Sequence, residues 1–379
     1  MKILLISMPS VHVIRWIENL QDSNYELYWF DILERGEIQT LDSVHQFTNW
    51  KKRKKRYIKG EFFLSKKMPF VYRNIIPFLE VTLDEALQKV ILEIQPDIIH
   101  SFEMQSCSYP ILKTIEKFPN IKWIYSCWGS DLYHYRNFKN HISQIKAVLK
   151  RVNFLLTDCE RDHIIAKELG FKNQFLGIIP GGAGFKIDEL EPLRLPINER
   201  KLILVKGYEH NFGRGLNVVK ALESLQAITS GYEVVVFGAH PSVKKYIHEN
   251  KLDFKVYDRH ELTHQNILEL MGKSLLYIGN SISDGMPNTL LEAIVMGAFP
   301  IQSNPGGVTA EIINHKVNGL LIENPEDVNE LKILIAYFFA NKNISVQAQK
   351  LNYSLAQDKF EYETNKKAVI EMYQKAANI

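Results

Sequence analysis

The stretch "SDGMPNTLLEA", residues 283–293, joins a polar loop to an apolar helix. Pro287 suits the first helical turn, where the hydrogen-bond donor that proline lacks would have no partner. The backbone amides of Asn288, Thr289 and Leu290 would then emerge at the start of the helix, where unpaired N–H groups and the helix dipole favour an anion. The sequence therefore predicts an anion site at this point.

Two acids flank the predicted helix start. Asp284 precedes it in the loop, and Glu292 lies about one turn inside it. Adjacent ribose hydroxyls offer two donors, and a single carboxylate accepts both. Asp284 would accept from hydroxyl groups on whatever the anion carries. The spacing predicts a nucleotide sugar as the ligand; the alternative is a helix-capping Asp and a solvent-facing Glu.

Two series of alternating apolar runs and helical patterns lie on either side of a Gly- and Pro-rich stretch. The first series includes "KILLIS", "PDIIHSF" and "NFLLTDC", and the second includes "KLILVKG", "YEVVVFG" and "SLLYIGN". Such alternation predicts parallel α/β units. We expect two Rossmann-like domains facing a cleft: an N-terminal domain over residues 1–180, a linker over 181–200, and a C-terminal nucleotide-sugar domain over 201–358. A terminal helix at 359–379 would pack back on the first domain.

Composition limits the class of protein. The 379 residues carry a net charge of +3 and contain only three cysteines. No apolar run reaches the length of a membrane-spanning helix. The start "MKILLISMPSVHV" is typical of a first buried strand rather than a signal peptide. We therefore expect a cytoplasmic protein without disulfides.

Positive charge is concentrated in residues 50–73, which hold ten Lys or Arg and one Glu, interleaved with aromatic side chains. Basic residues near an anionic bilayer each contribute about 1 kcal/mol to binding. The segment predicts contact with an anionic membrane surface, so that the protein would lie peripherally on the inner membrane face. The alternative is a solvated loop. A nucleic-acid partner is not expected, because no nucleic-acid-binding motif accompanies the charge.

The block from "DGMPNTLLEAIVMGAFPI" to "GGVTAEII" and "NGLLIENPEDV" resembles the Glu-x₇-Glu region of family 4 glycosyltransferases of the GT-B fold, here with Asp-x₇-Glu. "PDIIH", "IIPGGAGF" and "FGRGLNVVKAL" support the resemblance along nearly the whole chain. The resemblance implies that Glu292 binds the donor ribose and Asp284 the donor sugar. Arg214 stands where the family usually has Lys, and would neutralise the leaving diphosphate.

Further donor contacts implied by the resemblance come from the backbone of the helix start, at Gly285, Met286, Pro287, Asn288, Thr289 and Leu290. The family's second basic residue has no clean match, and Lys206 is the nearest candidate. Near the reacting sugar many members carry His where this chain has Trp128. Asp131 is then the candidate for accepting a proton or binding a hydroxyl, with a turn or N-cap role as the alternative. His12 and Glu103 are weaker candidates.

The implied reaction is transfer of a sugar from a nucleotide-diphosphate sugar to a glycan or lipid-linked acceptor, with retention of anomeric configuration, in bacterial surface polysaccharide or glycolipid synthesis. The sequence contains no Asp-x-Asp pair, so we expect no metal and no cofactor. The alternative is a nucleotide-sugar epimerase of the same two-domain fold. A nicotinamide-dependent oxidoreductase is disfavoured because "SMPSVHV", not a Gly-x-Gly-x-x-Gly turn, follows the first strand.

Overall fold

The computed structural model describes residues 1–379 as two compact units. The first unit comprises residues 1–157, 163–177 and 369–379, and the second comprises residues 158–162 and 178–368. No helix of the chain combines the length and the apolar character that crossing a membrane requires. The domain boundaries expected from the sequence stay a prediction; by contacts, residues 181–200 belong to the second unit.

The first unit is built on a seven-stranded sheet in the order β3-β2-β1-β4-β5-β6-β7. Its strands are β1 (Lys2–Ser7), β2 (Glu26–Asp31), β3 (His45–Phe47), β4 (Ile98–Phe102), β5 (Lys122–Cys127), β6 (Phe154–Thr157) and β7 (Gln174–Ile178). Its helices are α1 (Val11–Glu18), α2 (Glu61–Lys67), α3 (Pro69–Leu79), α4 (Leu83–Ile94), α5 (Tyr109–Ile115), α6 (Lys139–Arg151) and α7 (Glu160–Glu168), of which residues 160–162 belong to the second unit.

The second unit is built on a six-stranded parallel sheet in the order β10-β9-β8-β11-β12-β13. Its strands are β8 (Leu202–Lys206), β9 (Glu233–Ala239), β10 (Phe254–Asp258), β11 (Ser274–Gly279), β12 (Phe299–Ser303) and β13 (Leu320–Ile322). Its helices are α8 (Ile187–Leu190), α9 (Gly215–Glu223), α10 (Gln226–Thr229), α11 (Pro241–Glu249), α12 (His264–Lys273), α13 (Asn288–Val295), α14 (Val328–Ala340), α15 (Ile344–Phe360) and α16 (Tyr362–Asn378), whose last residues belong to the first unit.

Both faces of the second sheet are buried, as expected for parallel strands whose crossover helices cover both sides. Along β8, Leu202 and Leu204 pack into the core that includes α12, α13 and α15. The alternate residues Ile203 and Val205 pack into the opposite core with α9, α11 and α14. This two-residue alternation fixes β8 in the middle of the sheet, with β9 on one side and β11 on the other.

The order of strands reverses at β8, because the chain runs from β8 outward to β9 and β10, and then returns to β11 on the other side. In open parallel sheets the crevice beyond the carboxyl ends of the strands at such a reversal is the usual ligand site. Lys206 ends β8, and the loop that carries Asp284 follows β11. The topology therefore brings the two sequence candidates to one edge.

The prediction of a single terminal helix at 359–379 is wrong in one respect. α15 and α16 are separated at Glu361, which adopts an extended conformation. Within the first unit the end of α16 is fixed by Tyr373, whose hydroxyl accepts a hydrogen bond from Trp16 Nε1 at 3.0 Å. His100 Nδ1 contacts the same hydroxyl.

Residues 61–79 form helices α2 and α3, and the solvated loop considered as the alternative for residues 50–73 is wrong over this range. Inside the segment, Arg53 Nη1 and Nη2 donate to Glu61 at 2.6 and 2.8 Å. The Tyr72 hydroxyl donates to the same carboxylate at 2.9 Å. The guanidinium group of Arg53 lowers the pKa of Glu61 to about 2. This buried acid, at the start of α2, therefore connects Arg53 of the preceding basic segment and Tyr72 of α3.

Candidate active site

The start of α13 is formed by Pro287, which acts as the N-cap residue and offers no side-chain hydrogen bond. Its carbonyl accepts from the amides of Leu290 and Leu291 at 2.9 and 3.2 Å. The expectation that the Leu290 amide is available is therefore wrong, because the helix begins one residue later than a first-turn proline implies. The Thr289 amide donates to no protein group, and it lies at the positive end of the helix dipole.

Lys206 reaches the same helix start from the end of β8. Its Nζ donates to Thr289 Oγ1 at 3.2 Å, and the Tyr277 hydroxyl donates to the same oxygen at 3.0 Å. An ammonium group beside an amide-bearing helix start gives two independent sources of positive potential at one point. The structure thus brings together Lys206 and the α13 start as the sequence expects.

Glu292 is 5% exposed and is the one acidic residue of helix α13. Its Oε1 lies 2.7 Å from Nε2 of His264, the first residue of α12. The histidine therefore orients the carboxylate. His264 was missed by the sequence reasoning, since nothing in "LTHQNI" distinguishes it from a residue on a helix surface.

Asp284 lies in the loop between β11 and α13. Burial raises the pKa of its carboxyl group, while Lys206, the Gly285 amide and Arg161 act in the opposite direction. The Asp284 backbone carbonyl accepts from Arg161 Nη2 at 2.8 Å. The acid is thus held near a cation in a loop whose backbone is fixed.

Arg161 is a second residue that the sequence reasoning missed. It is 8% exposed, and its Nε and Nη2 donate to the Asp162 carboxylate at 2.9 and 3.1 Å. Its Nη1 donates to the Pro305 carbonyl at 2.7 Å. Together with the bond to the Asp284 carbonyl, these contacts fix two loops of the second unit. No sequence signal identifies Arg161, because the carbonyls of Pro305 and Asp284 to which it donates are distant in the chain.

Arg214 is the residue that directly precedes α9. Its Nε donates to Glu326 at 2.6 Å, and its Nη1 donates to the carbonyls of His210 and Gly213. The next residue, Gly215, lies directly against β8. A Cβ atom at Gly215 would be 2.8 Å from the Lys206 carbonyl oxygen, so only glycine allows α9 to begin there. The role of Arg214 in neutralising a diphosphate stays a prediction.

Aromatic and cationic groups extend the site along the carboxyl edge of the sheet. The Tyr208 ring follows β8, and the Lys206 Nζ and the Arg259 guanidinium lie 4.8 and 5.3 Å from its centroid. The rings of His210 and His240 lie 5.8 and 6.0 Å from the same ring. The edge therefore offers flat stacking surfaces beside cations, a composition suited to a nucleobase next to phosphates.

In the first unit, Asp131 is 2% exposed and has three donors on one oxygen. Its Oδ2 accepts from the amides of Met104 and Trp128 and from the Tyr125 hydroxyl, at 2.9, 3.2 and 2.8 Å. This geometry favours the turn role that the sequence left as the alternative, because these donors hold the carboxylate within the fold. A catalytic role for Asp131 stays a prediction.

The weaker candidates lie near the same end of the first sheet. The His12 ring is 6.2 Å from that of Trp128. Glu103 has a φ of 74°, and its carboxylate accepts from the amides of Gln105 and Ser106. His100 is fully buried between the Tyr373 and Ser126 hydroxyls, and burial lowers its pKa. Glu103 thus ends β4 in a hydrogen-bonded turn, and His100 belongs to the core.

Two protein-family models together match nearly the whole chain. The model of the family described as glycosyl transferases group 1 matches residues 191–376, and that of the family described as glycosyl transferase 4-like matches residues 2–159. The chain is a GT4-like group 1 glycosyltransferase. The resemblance and the enzyme class expected from the sequence are thereby confirmed.

Solved structures show that this glycosyltransferase has the two-domain GT-B fold. Sucrose-phosphate synthase from Thermosynechococcus elongatus matches with a TM-score of 0.72 and 15% identity, over 99% of this chain and 98% of its own. A glycosyltransferase from Rickettsia africae matches with a TM-score of 0.70 and 18% identity, over 99% and 98%. Anabaena HepE in complex with UDP and glucose matches with a TM-score of 0.70 and 15% identity, over 99% and 100%. No curated protein matches the sequence of this glycosyltransferase.

Proposed function

We propose that this enzyme is a retaining glycosyltransferase that moves a sugar from a nucleotide-diphosphate sugar to a glycan or lipid-linked acceptor, without a metal ion, in bacterial surface polysaccharide or glycolipid synthesis. The observation that carries the proposal is the convergence of three features at the reversal of the second sheet. These are the Lys206 ammonium, the open Thr289 amide at the α13 start, and the buried Glu292 carboxylate.

The diphosphate would lie against the start of α13, where Lys206 and the Thr289 amide favour negative charge. Breaking the bond between sugar and phosphate adds negative charge to the diphosphate, and cations fixed in advance stabilise that charge as it forms. Arg214 would contribute a second cation if its hydrogen bond to Glu326, whose side chain is largely exposed, were replaced by one to the diphosphate.

The ribose would bind to Glu292. His264 Nε2 is bonded to Oε1, so the two carboxylate oxygens stay in one orientation towards the vicinal hydroxyls. A buried carboxylate gains from hydroxyl donors, because it has lost hydration by water. His264 acts here as a positioning residue.

The sugar would be held by Asp284, and the base would stack near Tyr208. We propose UDP as the nucleotide, supported by the similarity in fold to HepE, whose complexes contain UDP, UDP and glucose, or UDP-glucose. The rings of Tyr208, His210 and His240 supply the flat surfaces that a uracil requires.

In the reaction, the bond between the anomeric carbon and the phosphate oxygen breaks, and its electron pair stays on the diphosphate. The acceptor hydroxyl oxygen attacks the anomeric carbon on the face that the diphosphate leaves, which retains configuration. The proton of that hydroxyl passes to an oxygen of the departing diphosphate. No protein base is required on this route, which agrees with the three hydrogen bonds that hold the Asp131 carboxylate within the first unit.

The acceptor side of the proposal rests on α2 and α3. Phe62, Phe70 and Phe78 are 71%, 79% and 69% exposed on these two helices. Lys66 and Lys67 lie on the same segment. Exposed aromatic side chains beside a basic cluster are the combination that anionic bilayers bind. We propose that this face docks on an anionic bilayer, from which a lipid-linked acceptor is taken.

Donor use is tested by incubating the enzyme with UDP-sugars and a bacterial lipid extract, and measuring released UDP and glycosylated lipid. Product with the anomeric configuration of the donor, judged by NMR coupling constants, is the expected result. An inverted product would contradict the retaining mechanism. Conversion of the UDP-sugar to its epimer in the absence of any acceptor would instead favour the epimerase.

Membrane docking is tested by sedimentation with vesicles of phosphatidylglycerol and phosphatidylcholine. We expect binding to the anionic vesicles, and loss of that binding when Phe62 and Phe70 are replaced by Ser. Ile333→Ser, at a residue 68% exposed in the second unit, is the matched control and should bind like the wild type. Equal vesicle binding by both variants would show that this face does not dock on the bilayer.

A further inference from the structure

A cavity of about 390 Å³ lies in the second unit between residues 191–200, the end of α13, and α15. Its charged lining consists of Arg194, Arg200, Lys350 and a single acid, Glu191. Its apolar lining includes Leu195 and Ile294. The volume falls within the range of small-molecule sites. The excess of cationic side chains in the lining favours a negatively charged ligand.

Arg200 is the most deeply buried cation in this cavity, at 2% exposure. Its Nε donates to the Leu195 carbonyl, and its Nη1 donates to the carbonyls of Ser274 and Met296. Its Nη2 has no hydrogen-bond partner. No carboxylate pairs with the guanidinium group, and burial lowers its pKa to about 10.

Arg194 lies beside it, and although burial lowers its pKa, Tyr353 and the carboxylates of Glu191 and Asp188 act in the opposite direction. Its Nε and Nη2 are buried and have no hydrogen-bond partner, and its guanidinium carbon lies 4.8 Å from the centre of the Tyr353 ring. The positive charge of Arg194 contributes to lowering the pKa of Arg200. Two guanidinium groups thus line one cavity without a carboxylate bonded to either.

Such an arrangement is costly unless an anion balances it. Buried polar groups in proteins are nearly always hydrogen-bonded, and a buried charge without a counter-charge destabilises a fold. The N–H groups of arginine match the oxygens of a phosphate or carboxylate in pairs. We propose that the cavity is a binding site for a small organic phosphate, whose phosphate group lies between Arg194 and Arg200 and whose body lies along Leu195 and Ile294.

This site is distinct from the candidate active site and does not rest on the proposed function. Arg200 donates to the carbonyl of Met296, which caps the carboxyl end of α13. The candidate active site lies at the other end of the same helix, about 12 Å away for eight residues. A ligand at Arg200 and a donor at Thr289 would therefore contact opposite ends of one helix.

The site is tested by calorimetric titration with glycerol 3-phosphate and with inorganic phosphate, at ionic strength matched with chloride. We expect glycerol 3-phosphate to bind the wild type, and Arg194→Gln to bind it at least about tenfold more weakly, as expected for loss of a charge-assisted hydrogen bond. Lys206→Met, which alters the candidate active site only, should leave this binding unchanged. Unchanged binding by Arg194→Gln, or a loss confined to Lys206→Met, would overturn the proposal.

A crystal soaked in selenate gives a second readout that does not depend on any variant folding. Anomalous density between Arg194 and Arg200 is the expected result. Density confined to the start of α13, or no density in either place, would overturn the proposal.

Discussion

Replacing Arg161 with methionine is expected to destabilise the second unit by about 3–5 kcal/mol, the usual result of breaking a buried ion pair by removing one partner. The Asp162 carboxylate, which is fully buried, would lose a guanidinium group that donates two hydrogen bonds to it. The carbonyls of Asp284 and Pro305 would each lose a donor. For a unit of this size, about 2–4 °C of melting temperature corresponds to each kcal/mol, which gives a decrease of about 6–20 °C.

Differential scanning calorimetry measures this decrease directly. The double variant Arg161→Met/Asp162→Leu is the matched control, because it removes the Asp162 carboxylate together with the guanidinium group that donates to it. We expect the double variant to unfold at a higher temperature than Arg161→Met alone. A single variant that melts within 2 °C of the wild type, or a double variant that is no more stable than the single one, would refute the reasoning.

Three further predictions follow from particular contacts. Burial raises the pKa of Asp158 to about 8; since its unfolded pKa is near 4, the wild type should lose stability as pH rises from about 4 to about 8. Asp158→Asn should lose less over that range in thermal melts, and equal slopes would contradict this. Gly215→Ala places a methyl group 2.8 Å from a carbonyl oxygen, and chemical denaturation should show a loss of about 1–3 kcal/mol in the free energy of unfolding. Gly231→Ala, with nothing within 4 Å of the added methyl group, should lose less than about 1 kcal/mol. Similar losses of stability in the two variants would show that the contact at Gly215 is tolerated. Lys206→Met should weaken UDP binding by about 10- to 150-fold in calorimetric titration, as expected for a hydrogen bond to a charged group, while the surface variant Lys220→Met should not; equal affinities would remove Lys206 from the phosphate site.

The two-sheet architecture was predictable because most central strands are rich in apolar residues. "KLILVKG" and "SLLYIGN" became β8 and β11, the two strands on either side of the reversal. Lys206 was named from the family resemblance, and its place beside the α13 start agrees with the rule that parallel strands end at one edge.

Helices α2 and α3 were not predicted, because lysines and arginines interrupt the apolar periodicity over residues 51–67. The structure shows why a helix forms nonetheless: Glu61 is held by Arg53 and by Tyr72, a contact between residues eight and eleven positions apart. The spacing of hydrophobic residues does not predict such a contact between polar side chains.

The sequence identified candidate residues that lie within one local stretch, whose binding roles stay predictions, and it missed contacts that depend on distant residues. The expectation of an unpaired Leu290 amide was wrong, because the sequence could not distinguish Pro287 as the N-cap from Pro287 in the first turn. Arg161 and His264 contribute through contacts 123 and 28 residues away in the chain. Only the folded structure reveals these contacts.

The central claim is that Glu292 binds the ribose of a nucleotide donor at the start of α13. The most direct measurement is the affinity for UDP and for 2′-deoxy-UDP, in the wild type and in Glu292→Gln. Loss of a hydroxyl bonded to a charged group costs about 1.5–3 kcal/mol, so the wild type should bind UDP about 10- to 150-fold more tightly than the deoxy form. In Glu292→Gln this preference should shrink to a few-fold. A wild type that binds both nucleotides equally, or a variant that keeps the full preference, would contradict the account.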